Sequence, residues 1–135
     1  MKKKYISQGF NLVNNMIAPI FKQFSLESMR EVIENCKSFP RYSALVICAN
    51  FQEIAILFTN IPTKEFLGGN IKIDRNKRII NILYNNMSWI SFQISSDNTI
   101  GRRVNALLYS ENIKQSTLNS VYYPMQTPYI SKSKI

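Results

Sequence analysis

There is no histidine among the 135 residues of this chain. Histidine is the side chain whose unperturbed pKa lies nearest neutrality, and it is the commonest general base and metal ligand. Its absence excludes Ser-His and Cys-His nucleophile pairs, histidine metal sites and imidazole proton relays. Acids are also scarce, 8 Asp plus Glu against 17 Lys plus Arg, so a carboxylate cage for a divalent ion has few donors to draw on. Cys36 and Cys48 are the only cysteines, and their spacing lacks the further ligands a zinc site needs. They read as small buried groups in a reducing compartment, with a single bridge between them left open. No apolar run approaches the roughly 20 residues that cross a bilayer. The lysine-rich start, Lys2-Lys3-Lys4, leads into Gln8, Asn11, Asn14 and Asn15, which break up a signal-peptide core. The expectation is an intracellular protein (cytoplasm, organelle matrix or virion), not secreted and with no membrane span.

What the chain does contain is asparagine, isoleucine and positive charge. Fifteen Asn and nineteen Ile suggest an AT-rich coding genome such as that of an organelle, a virus or a low-GC bacterium. The formal net charge is +9 and the sequence pI about 9.7, which favours phosphate-rich partners. The excess is uneven. Residues 1–22 carry four Lys and no acid, residues 23–53 three bases against four acids, and residues 54–135 ten bases against four acids. An acidic helix thus separates a basic arm from a basic second half.

Periodicity predicts the elements. Phe10, Val13, Ile17, Ile20, Phe21 and Phe24 recur at helical steps, with a kink or restart expected at Pro19. Ser25 is a good N-cap for a second helix striped by Leu26, Met29, Val32, Ile33 and Cys36, which Ser38-Phe39-Pro40 ends. The apolar runs 44–49 and 54–58 read as paired strands covered on both faces. A loop over 60–70 precedes a meander of 71–74, 78–84 and 88–95, whose turns carry Asn76 and Asn85-Asn86, residues that tolerate left-handed backbone. Residues 102–112 suit a short amphipathic helix, and from 115 the chain reads as an extended tail. The expected architecture is α+β: two N-terminal helices, a five-stranded mostly antiparallel sheet, a short C-terminal helix and the tail. Residues 1–114 would form one domain and 115–135 the tail.

Alternation along the last strand sets Ile90, Phe92 and Ile94 on one face and Trp89, Ser91, Gln93 and Ser95 on the other. The only tryptophan therefore has polar neighbours. With Lys72 on a nearby strand and Arg75, Lys77 and Arg78 at a turn, this face has the ingredients of a single-strand platform, an aromatic ring for bases and cations for phosphates. The competing reading, which weighs more for Trp89 alone, is a second core layer, since two amphipathic helices must lie on some sheet face. Arg102 and Arg103, if they opened a helix, would sit unfavourably at its positive end, a conflict that a phosphate would relieve. Glu27, Arg30, Glu31 and Glu34 read as an internally paired helix face. Gly68-Gly69-Asn70 lacks the rest of a P-loop.

These features point to a non-enzymatic nucleic-acid-binding protein, for RNA or single-stranded DNA, either free or as a subunit of a ribonucleoprotein. Lys72, Arg75, Lys77, Arg78, Arg102 and Arg103 would contact phosphates and Trp89 would stack, with no cofactor and no metal. The rival reading is a protein–protein assembly module, such as a viral structural or accessory subunit. There the Tyr- and Pro-bearing tail docks on a partner, with Phe39-Pro40-Arg41-Tyr42 on the same surface.

Overall fold

A computed structural model describes residues 10–11, 16–96 and 103–130. The fold is α+β, but its sheet is mixed rather than mostly antiparallel, and it has six strands rather than five. Chain order runs β1 (Phe10–Asn11), β2 (Met16–Ile17), β3 (Ile20–Gln23), α1 (Leu26–Ser38), β4 (Ser43–Cys48) and α2 (Phe51–Thr59). It continues with β5 (Gly69–Asp74), β6 (Ile79–Tyr84), β7 (Trp89–Ile94), β8 (Ala106–Tyr109), a helical run over 115–125 and β9 (Tyr129–Ile130). The main sheet has the order β3-β8-β4-β7-β6-β5. Its first four strands are mutually parallel, and β6 and β5 complete it as an antiparallel meander.

The expected first helix does not form. Residues 10–11, 16–17 and 20–23 are extended. Pro19 removes a helix donor midway, and the preceding asparagines are weak helix formers. The second helix stands as expected. The Ser25 hydroxyl accepts from the Ser28 amide at 3.0 Å while the Ser28 hydroxyl accepts from the Ser25 amide at 2.9 Å, a reciprocal cap. Met29, Val32, Ile33 and Cys36 are buried. The paired acidic face is different from the expectation, because Arg30 bonds Glu65 and Glu31 bonds Lys22, both outside the helix.

Residues 54–58, expected as a strand, belong to α2. The overlooked signal is at the start of the run: the Asn50 side chain accepts from the Glu53 amide at 2.9 Å, and the Glu53 carboxylate turns back to the Ala49 amide at 2.6 Å. The period of residues 102–112 suits a short helix, but 106–109 are the strand β8, inserted between β3 and β4. A strand buried on both faces is apolar without alternation, so period alone cannot separate it from a short helix.

Two cores result, one on each side of the sheet. Ala44, Val46, Cys48, Ile82, Ile90, Phe92 and Leu108 pack with Met29, Val32, Ile33 and Ile54 beneath α1 and α2. Leu45, Ile47 and Leu107 pack with Leu118, Tyr122 and Met125 from the helical run. The expected extended tail is therefore helical over 115–125 and built into the core. Its last strand, β9, pairs antiparallel with β2, which also pairs with β1. Tyr129 lies in an aromatic group with Phe39 and Tyr42, and its hydroxyl donates to the Pro40 carbonyl at 2.7 Å. Among the described residues, the tail and the Phe39-Pro40-Arg41-Tyr42 segment thus meet each other. Asn105 secures the junction: its Oδ1 accepts from the Ser43 amide at 2.9 Å and its Nδ2 donates to the Thr127 carbonyl at 3.2 Å. No helix among the described residues is long and apolar enough to cross a membrane.

Two outcomes follow for stability. Burying a large apolar side chain contributes roughly 1.5–3 kcal/mol, so removing residues 116–135 takes away Leu118, Tyr122 and Met125 and about 5 kcal/mol or more. That approaches the whole stability of an ordinary domain, and the truncated chain is expected to lose its cooperative thermal transition by circular dichroism. Tyr84 behaves in the opposite way. Its hydroxyl is buried without a hydrogen-bond partner among the described residues, so Tyr84→Phe should leave urea stability unchanged or raise it by about 1 kcal/mol.

Candidate nucleic-acid interface

The helical run over 115–125 covers the β3, β8 and β4 side of its sheet face, and among the described residues no element packs over the β5–β6 half of that face. Pairing fixes what stands there. Lys72 on β5 is opposite Asn81 on β6, which is opposite Ser91 on β7. One row along, Asn70 is opposite Leu83, which is opposite Trp89. The alternate residues Ile71 and Ile73 lie opposite Ile82 and Ile80, on the α2 face. A groove of about 390 Å³ opens on this surface, lined by Asp74, Lys77, Ile79, Asn81, Leu83, Trp89 and Gln93. Its polar floor is already ordered: Gln93 Nε2 donates to the buried Ser91 hydroxyl at 2.8 Å.

Trp89 belongs partly to both readings given above. It is half-buried and packs against the second core, yet it also forms one wall of the groove. Three of the expected residues, Lys72, Lys77 and Trp89, thus share one surface.

The other expected residues do not join them. Asp74 ends β5, and its carboxylate accepts from the Lys77 amide at 3.0 Å, while Arg78 takes the left-handed φ of 57° before β6 begins. This tight tip sends Lys77 to the groove and Arg75 and Arg78 to the opposite side, where they line a separate cleft with Phe51. The expected basic cluster is therefore split between two faces of the sheet. Arg103 is exposed at the end of the sheet where β8 begins, ahead of a strand rather than a helix. The supposed conflict with a helix dipole does not arise for it. Arg102 lies outside the described residues. None of Lys72, Arg75, Lys77, Arg78 and Arg103 is held by a carboxylate among the described residues, where the two ion pairs are Lys22–Glu31 and Arg30–Glu65.

Both thiols are buried, and the Glu53 carboxylate is held by hydrogen bonds. Cys36 and Cys48 are free thiols in the core. Burial raises both, Cys48 to about 12 with a smaller push from Glu53, which disfavours the nucleophilic thiolate. Glu53 occupies the crevice at the carboxyl ends of β4 and β8, where the covering segments change sheet face and where open α/β sheets commonly take ligands. The Asn112 side chain donates to its second oxygen at 2.6 Å. Burial opposes the charge on Glu53, but the Ala49 amide and the Ser110 and Asn112 side chains prevail and hold its carboxyl below the usual value. Among the described residues no three His, Cys, Asp or Glu side chains converge as a metal cage requires.

A carboxyl lowered on folding contributes stability that is full above its ordinary value of 4.5 and drains as pH falls through the lower folded value. Urea unfolding between about pH 7 and pH 3 should show this extra acid-side loss in the native chain and a shallower fall in Glu53→Gln. Parallel curves would show that Glu53 adds nothing through its charge.

Comparison with known proteins adds no relative: no family model, no curated protein and no solved structure matches this chain.

Proposed function

We propose that this protein binds single-stranded nucleic acid, RNA or DNA, on the β5–β6–β7 face, and that its role is binding rather than catalysis. The observation that carries the reading is the juxtaposition along one groove of the chain's only tryptophan with Lys77 and two side-chain amides, beside a row led by Lys72. Lys72 and Lys77 neutralise successive phosphates. The Trp89 ring offers an apolar wall to a base, and such stacking contributes roughly 1–3 kcal/mol per base regardless of its identity. Asn81 and Gln93 can hydrogen-bond base edges, each offering a donor and an acceptor. The surplus of nine positive charges draws a polyanion in from a distance.

Asp74 works against binding. It borders the same groove, and its charge opposes any phosphate nearby. Its structural bond to the Lys77 amide needs only an acceptor oxygen, which asparagine also supplies.

The reading in which the tail docks on a protein partner draws less support, since Tyr122, Met125 and Tyr129 are buried against their own chain.

The test is oligonucleotide binding across salt, read from Trp89 fluorescence. A poly-U or oligo-dT strand should quench the emission. The slope of log affinity against log salt should become shallower by about 1.4 in Lys72→Ala with Lys77→Ala, two phosphates at about 0.7 each. Asp74→Asn should tighten binding about two- to fivefold at low salt, the scale of one exposed charge interaction. An affinity indifferent to salt, or a slope untouched by the double lysine change, would overturn the proposal.

A further inference from the structure

The two arginines that the hairpin sends away from the groove border a second concavity. It lies on the α2 side of the sheet, between the first turn of α2 and the tip of the β5–β6 hairpin, with a volume of about 700 Å³. Phe51, Ile73 and Ile80 form its apolar surface, and Asn50 and Gln52 supply amides beside it. Phe51 is 38% and Ile73 53% exposed, so apolar area remains uncovered. The Arg78 guanidinium stands 6.0 Å from the centre of the Phe51 ring, within reach of a cation–π contact. Among the described residues no acidic side chain lines this cleft, and neither arginine is held by a carboxylate.

These features narrow the ligand. A bare inorganic anion fills little of such a volume and gains nothing from apolar walls. A neutral hydrocarbon leaves two guanidinium groups desolvated without a counter-charge. The first turn of α2 is not the anion site either, because Asn50 accepts from the Glu53 amide and Glu53 turns back onto Ala49. Charge recognition falls to Arg75 and Arg78, whose planar forks suit phosphate. A ring alongside Phe51 extends the stack that Arg78 begins. Small-ligand sites are commonly clefts of about 300–1,000 Å³ with mainly apolar walls and a few placed polar groups. We infer that this cleft binds a phosphate-bearing planar aromatic of nucleoside-monophosphate size, its ring against Phe51 and Ile73 and its phosphate on Arg75 and Arg78. The inference does not rest on the strand-binding reading, which uses the opposite face and other residues.

The experiment is a titration of the full chain with AMP, followed by backbone amide NMR shifts, with adenosine, inorganic phosphate and laurate as separate arms. Saturable AMP shifts are expected at Phe51, Gln52, Ile73, Arg75 and Arg78, with adenosine and phosphate each at least about tenfold weaker. Arg75→Gln combined with Arg78→Gly should weaken AMP about tenfold or more. Glycine suits the left-handed backbone at position 78, where φ is 57°, so the thermal midpoint should not fall. Four results each overturn the inference: AMP no tighter than adenosine, laurate tighter than AMP, shifts confined to the Trp89 face, or undiminished AMP affinity in a folded double variant.

Discussion

Burial of β4 on both faces is the constraint from which the rest of the structure follows. All of Ala44–Cys48 is inaccessible to solvent, with alternate residues feeding opposite cores. A strand in that position needs cover above and below, and the chain supplies it asymmetrically. Two helices spread beneath β4, β7, β6 and β8, while a single short helical run lies on the other side. Among the described residues the upper cover ends near β7. Trp89 marks its boundary, with one side in the core and the other on the groove.

Elements with local signatures were legible in the sequence. Ser25 and the Met29-to-Cys36 stripe define α1, and the meander of β5, β6 and β7 lies within a residue or two of its expected bounds. Elements whose character is set by distant partners were not. Residues 10–24 carry a helical period, but β2 and β3 pair with β9 and β8, more than eighty positions away. The α2 segment is rich in strand-forming residues, and only the Asn50–Glu53 cap gives it away. The turns hold a further difference: asparagines were expected at the left-handed positions, but Arg78 and Met87 occupy them at φ 57° and 73°. Strand pairing on either side fixes these positions regardless of what the side chain prefers.

The same contrast holds for the site. Strand alternation correctly grouped Trp89 with Ser91 and Gln93, and pairing adds Lys72 and Asn81 to that face. The hairpin tip was legible only as a concentration of charge. How the tip distributes its three cations depends on the left-handed turn at Arg78, which no composition count can reveal. One basic cluster in sequence thus became two differently equipped surfaces, one polar with an indole wall and the other apolar with an arginine rim.

Strand β8 has a further consequence, for how the chain reaches this state. It comes last among the six strands of the main sheet in sequence but lies between β3 and β4 in space. The β5–β6–β7 meander can pair as soon as it is synthesised, whereas Ile20 must wait for Ala106. Long-range pairings of this kind cost chain entropy before any contact offsets it, so the final strand insertion is expected to be slower than closure of the meander. Until it occurs, β4 has one unfilled edge rich in aliphatic side chains, the sort of edge through which nascent chains join one another instead of closing on themselves.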